Sequence, residues 1–113
     1  DGIAKTYGGS AETKYTRFYP VLNNDPAFTN YVKKITAELF PEDIFDLSAP
    51  TMGGEDMAFY LKEVPGTFLF LSNLAPAKDG KYYPNHNSKF DLDEKEFYKG
   101  VSIFVATAFD FLK

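Results

Sequence analysis

The chain has 113 residues, 44% of them hydrophobic and including 12 Phe and 8 Tyr, one domain's worth of material with ample apolar mass for a core. Its charge is mixed and mildly acidic, 12 Lys and Arg against 16 Asp and Glu for a net charge of -4, which excludes the basic face of a nucleic-acid binder and the polybasic patch of an anionic-membrane binder. The absence of cysteine and the presence of one histidine exclude disulfides, a thiolate zinc site, a cysteine nucleophile and a self-contained metal site of two or three histidines.

In chain order, residues 1–9 (DGIAKTYGG) read as the last turns of a helix closed by glycines that take positive φ at a C-cap. Residues 11–18, rich in Thr and aromatics with no breaker, read as a strand with Glu12, Lys14 and Arg17 on a wet face. A turn-rich link from Tyr19-Pro20 follows. Asp25 as N-cap and Pro26 at the first helical position then start a helix. Phe28, Val32, Ile35 and Leu39 form one stripe of 3.6-residue period, and Pro41 ends it. Ile44 to Leu47 read as a short strand.

Residues 50–54 (PTMGG) are a loop, and Glu55 to Lys62 read as a short helix with acids in its first turn, where the dipole favours them. After the turn Val64-Pro65-Gly66, the apolar run Thr67 to Ser72 (TFLFLS) reads as a strand covered on both faces. Residues 73–90 form a long loop with the single histidine near its end; unstructured loops above ~12–15 residues are uncommon unless functional or mobile. Asp93 and Glu96 make a D-x-x-E variant of the capping box. Phe97, Val101, Phe104, Val105, Ala108, Phe111 and Leu112 then describe an amphipathic helix to the C-terminus. The order strand, helix, strand, helix implies an α/β layered fold, into which the first 18 residues fit poorly.

Four features bear on chemistry. Gly53-Gly54-Glu55-Asp56 joins flexible backbone and two carboxylates to a helix start, whose unpaired N–H groups suit an anionic or oxyanionic group; local chemistry by itself favours the plainer reading, a glycine turn into an acidic helix. His86, in a polar loop, is either a metal ligand or catalytic group or a solvated side chain. Tyr82-Tyr83 and Phe68 to Phe70 can hold a ring or pack internally. Asp91, Asp93, Glu94 and Glu96 read as helix capping and a solvated face. There is no calcium-loop rhythm, P-loop, G-x-G-x-x-G or G-x-S-x-G. The apolar stretches fall short of the ~20 residues that span a bilayer, no signal peptide opens the chain, and its location reads as cytoplasmic. It begins without methionine, which reads as a cut or trimmed end.

Met52-Gly53-Gly54-Glu55-Asp56-Met57-Ala58-Phe59-Tyr60-Leu61 with Val64-Pro65-Gly66 resembles the M-G-G-E-D-F-x-x-Y…v-P-G stretch of M20 amidohydrolases, in the branch of N-acyl-amino-acid amidohydrolases, hippurate hydrolases and auxin-conjugate hydrolases. Tyr83-Pro84-Asn85-His86-Asn87-Ser88-Lys89-Phe90-Asp91 resembles that branch's Y-P-L-H-x-P-x-F-D motif, and Tyr19-Pro20 with Asn24-Asp25 is similar to its Y-P…N-D. Met57 stands where Phe is usual, a volume-similar swap; Asn85 and Ser88 stand where Leu and Pro are usual, flanking the histidine.

The resemblance implies the following. The chain is the C-terminal part of a zinc-exopeptidase-like layered α/β catalytic domain, residues 19–113, preceded in residues 1–18 by the end of an inserted lid or dimerisation domain. His86 is one ligand of a centre of two divalent ions, zinc or manganese. Gly53, Gly54, Glu55 and Asp56 lie beside an N-acyl amino acid or small-peptide substrate. The other ligands and the general-base glutamate lie upstream, so the chain alone is inactive, and the complete enzyme is a homodimer through its lid. Two alternatives remain: a stand-alone α/β binding or interaction module, and the same class of enzyme acting as a dipeptidase or N-acetyl-diaminopimelate deacetylase.

Overall fold

Local sequence signals place the helices of the computed structural model, which describes residues 2–43, 49–72 and 74–113. Helix α1, Gly2–Thr6, ends as the glycines require: Gly8 sits at φ 72°, and Gly8 and Gly9 donate to the carbonyls of Lys5 (3.0 Å) and Ala4 (2.9 Å), the paired bonds of a Schellman cap. Helix α2 spans Pro26–Leu39. Asp25 Oδ1 accepts the Phe28 N–H at 2.7 Å, satisfying one of the donors a helix start leaves unpaired. Helix α3, Met57–Glu63, begins two residues later than its composition suggests. Glu55 and Asp56 form the turn that feeds it, with Ala58 donating to the Glu55 carbonyl and Phe59 to that of Asp56.

Asp93 Oδ1 accepts the Lys95 N–H at 3.1 Å and opens a 3-10 turn over Glu94–Glu96. Helix α4, Phe97–Phe111, follows. It lies antiparallel to α2, since Phe28 at the start of α2 meets Phe111 (ring centroids 6.3 Å) while Phe40 beyond its end meets Tyr98 (5.8 Å). Tyr31 Oη donates to Asp110 Oδ2 at 2.8 Å. At the other end Lys99 Nζ lies 2.9 Å from Asp43 and 2.6 Å from Glu96, and these two carboxylates hold its ammonium protonated well above the ordinary lysine range.

The residues α4 turns toward the rest of the chain differ from the expected apolar stripe. Ser102, Ile103, Ala106 and Thr107 are partly covered, whereas Phe97, Val101, Phe104, Val105, Ala108, Phe111 and Leu112 are all exposed. Helix α4 is apolar on both sides, so periodicity alone does not say which side meets α2.

The two extended segments also differ from expectation. Residues 11–18 are exposed throughout. Residues 67–72 dock beside α2 rather than in a sheet, and instead of being covered on both faces they leave Phe70 71% exposed. Among the described residues the only β-pairing is an isolated antiparallel bridge between Leu74 and Leu92, so the layered sheet is not formed there. A strand exists only where a neighbouring strand takes its N–H and C=O groups in a ladder; among the described residues no strand pairs with residues 11–18, and in residues 67–72 it is the Asn24 side chain that engages Phe68. The expected strand at Ile44 to Leu47 lies outside the described residues.

Burial is correspondingly thin: Val32, Thr36 and Ala58 are the buried residues among those described. The radius of gyration is 20.3 Å, against about 13 Å for a compact domain of this length. The accessible surface is 9937 Å², against about 6200 Å² from the size scaling of folded monomers. No described helix is long and apolar enough to cross a membrane.

Candidate functional site

Three separated stretches come together around residues 53–56. The Tyr19 ring packs so closely on Gly54 that a Cβ there would lie 2.6 Å from its Cδ2, so any side chain at this position displaces the ring. The same ring meets Phe59 of α3 edge-on at 6.1 Å. A few residues on, Asn24 pairs with Phe68 in the manner of a strand partner: its Nδ2 donates to the Phe68 carbonyl at 3.0 Å, and its Oδ1 accepts the Phe68 N–H at 2.8 Å. Asp25 N–H donates to the Gly66 carbonyl at 2.9 Å, and Thr29 Oγ1 donates to Thr67 Oγ1 at 3.0 Å. The link of residues 19–25, the weakest of the motifs by sequence, therefore ties the Gly-Gly-Glu-Asp turn to the segment beginning at Gly66. Sequence reading missed Tyr19 and Asn24 as connectors; their fixed place ahead of the Asp25-Pro26 helix start was the available signal.

Within the turn, Gly53, Gly54 and Asp56 are exposed and Glu55 is half-buried. Glu55 Oε1 accepts the Met57 N–H at 3.3 Å, so one of the donors proposed for an anion is already engaged. Asp56 is at the N-cap position with helical backbone and no side-chain cap bond, which leaves its carboxylate directed by nothing in its own helix.

His86 belongs to a second assembly. The loop that carries it is closed at its base by the Leu74–Leu92 bridge and by Ala75 N–H donating to the Asp91 carbonyl at 3.1 Å. Its first arm reverses through Gly80 at φ 75°. At the far end, Asn87 N–H donates to the Pro84 carbonyl at 3.3 Å, closing a four-residue turn with His86 in third place. The Asn87 side chain accepts the Lys89 N–H at 2.9 Å, and Phe90 N–H donates to the Asn87 carbonyl at 3.0 Å. His86 has φ 68° and is the one described non-glycine residue with positive φ. Such a conformation costs a β-carbon-bearing residue about 1–2 kcal/mol and is where turns ordinarily place Gly or Asn.

Tyr83 and Lys89, which flank this turn in the chain, meet at Asp79. Tyr83 Oη donates to Asp79 Oδ2 at 2.7 Å, Lys89 Nζ donates to the same oxygen at 2.9 Å, and the ammonium stands 5.2 Å from the Tyr83 ring centre. The Lys89 ammonium, with the Tyr83 hydroxyl, holds the Asp79 carboxyl below its ordinary range, and Asp79 raises Lys89 above its own. Tyr83 and Lys89 lie three residues either side of His86, a symmetry that sequence reading passed over.

His86 is exposed at the surface of this loop, and an imidazole nitrogen there suits a borderline divalent cation. It fits as one ligand. Among the described residues no group of three His, Asp or Glu side chains converges to complete such a site. Among the described residues the hydrogen bonds of residues 53–56 and those of the His86 loop stay within their own assemblies.

Residues 3–110 match the sequence profile of Peptidase family M20/M25/M40. The chain is 35% identical to YhaA of Bacillus subtilis over 95% of its own length and 27% of YhaA. It is 37% identical to thermostable carboxypeptidase 1 of Saccharolobus solfataricus over 81% of the chain and 23% of that protein. It is 32% identical to the IAA-amino acid hydrolase ILR1-like 6 of Arabidopsis thaliana over 84% of the chain and 20% of that protein. The chain thus spans about a quarter of the length of the relatives it matches. No solved structure matches it. With the profile running across nearly every residue, including all three motifs, the chain belongs to Peptidase family M20/M25/M40.

Proposed function

We propose that the protein of which these residues form part is a metal-dependent amidohydrolase that cleaves the amide bond of N-acyl amino acids or small peptides, with His86 as a ligand of its metal centre. The observation that carries the reading is the backbone of His86, held at φ 68° in the one motif of the chain that contains a histidine. Strain kept at a residue with no packing role points to a side chain needed where it stands. Family membership and the names of the relatives, a carboxypeptidase and an amino-acid-conjugate hydrolase, support the reaction class.

When bound, two divalent ions, zinc or manganese, supply an activated water and polarisation of the scissile carbonyl. His86 would hold one of them through an imidazole nitrogen. Gly53 and Gly54 let substrate approach the backbone closely, and Glu55 and Asp56 lie beside it. A catalytic zinc takes three protein ligands; this chain provides one, and the remaining ligands and the general-base glutamate come from elsewhere in the protein, so residues 1–113 alone are inactive. Residues 1–18 close a lid through which the enzyme dimerises, residues 19–113 belong to the catalytic domain, and the enzyme works in the cytoplasm.

The test is a hydrolysis panel on the complete protein, covering N-acyl amino acids, dipeptides and N-acetyl-diaminopimelate. The reading expects at least one amide to be cleaved, activity to vanish on chelation and return with zinc or manganese, and His86→Ala to lose both bound metal and turnover. An active protein indifferent to chelators, or a His86→Ala variant with full metal content, overturns it.

A further inference from the structure

We infer that Asp79, Tyr83 and Lys89 are positioning residues that lock the His86 turn in its binding geometry. This rests on the reading of His86 as a metal ligand and adds residues to it.

The argument starts from what the cluster spans. Asp79 lies on the first arm of the loop, Lys89 on the second, and the His86 turn between them. One carboxylate oxygen, Asp79 Oδ2, accepts from both Tyr83 Oη at 2.7 Å and Lys89 Nζ at 2.9 Å. Lys89 Nζ also reaches Tyr83 Oη at 3.4 Å, so the three groups form a closed triangle across the two arms. Each arm is further fixed by a local bond, the Lys89 N–H donating to Asn87 Oδ1 at 2.9 Å and the Lys81 N–H to Asp79 Oδ1 at 3.2 Å.

The cluster is not there to stabilise the fold. The Lys89 and Asp79 side chains are 57% and 36% exposed, and solvent-facing pairs of this kind contribute little to global stability. Its effect is local. A turn that keeps a histidine in the left-handed region relaxes unless something restrains its flanks. Tyr83 and Lys89, three residues to either side, are those flanks, and Asp79 joins them. Partners bonded to a ligand itself change metal affinity about 10–100-fold when removed; Asp79, Tyr83 and Lys89 act one step further out, through the flanks of the turn, and their effect is smaller.

The experiment compares the complete wild-type protein with Asp79→Asn/Lys89→Met, the charge-reversed Asp79→Lys/Lys89→Asp, and His86→Ala. Three quantities are measured: zinc affinity by competition with a chromogenic chelator, the melting temperature of the apoprotein, and apoprotein hydrogen exchange at the Asn87 and Phe90 amides. The neutral double variant is expected to lose up to about fivefold in zinc affinity, to exchange faster at both amides, and to keep its melting temperature. The charge-reversed pair recovers part of the affinity. If the neutral variant binds zinc and exchanges like wild type while His86→Ala loses the metal, the positioning role is wrong and the ligand stands. If His86→Ala keeps full zinc affinity, the ligand reading fails and takes the positioning role with it. If all variants melt far below wild type, the cluster is a fold determinant and the inference is overturned.

Discussion

At His86 the backbone and the side chain make opposing demands. The turn of residues 84–87 needs positive φ at its third position, which glycine meets without strain, yet the chain places an imidazole there. Replacing His86 by Gly or by Ala removes the ring equally, but Ala keeps the steric clash of a β-carbon. In the complete apoprotein, urea denaturation is therefore expected to find His86→Gly more stable than His86→Ala by about 1 kcal/mol. Equal midpoints would mean that the left-handed backbone is not retained. The sequence singled out His86 through its motif but not its conformation. Positive φ is usually signalled by Gly or Asn at the turn position, and here the Asn residues stand on either side of it.

Helices, whose hydrogen bonds close within one segment, were legible as elements. The N-cap and the proline at the first helical position of α2 are local and were met, and of its apolar stripe Phe28, Val32 and Ile35 are at least partly covered while Leu39 is exposed. The exception is α3, where Glu55 and Asp56 form the turn ahead of the helix. Extended segments were not legible in the same way, because residues 67–72 are defined by what lies beside them, and Asn24 rather than a neighbouring strand takes the Phe68 backbone. The contact that joins elements near the Gly-Gly-Glu-Asp turn is testable by a paired substitution. Gly54→Ala places a carbon 2.6 Å from Tyr19 Cδ2, whereas at Gly53 the nearest atom is Thr51 Oγ1 at 3.6 Å, an ordinary contact. Chemical denaturation is expected to show Gly54→Ala costing about 1–3 kcal/mol and Gly53→Ala close to neutral. A neutral Gly54→Ala would mean that the Tyr19 ring does not rest there.

For the whole molecule, the thin core and the two-sided apolar character of α4 have one explanation: these faces are built to be covered. Phe104 is 81% exposed, Phe109 72% and Leu112 83%, and contiguous apolar surface of this kind is not left bare on a soluble monomer. Residues 1–113 produced alone are expected to self-associate, with light scattering showing species larger than a monomer and growing with concentration. A monodisperse monomer at high concentration would contradict this.

Composition argued against nucleic-acid binding and left no thiol in the chain, local patterning marked the helices and the Asp25 cap of α2, and the motifs assigned the family. Each of these depends on residues near one another along the chain or on their totals. The joining of Tyr19 to Gly54 and of Asn24 to Phe68, the left-handed turn at His86, its closure by Asp79, Tyr83 and Lys89, and the side of α4 that faces α2 were decided by tertiary structure. Their partners are separated in sequence or bear on backbone torsions, and neither composition nor periodicity records which distant residue comes to lie against which.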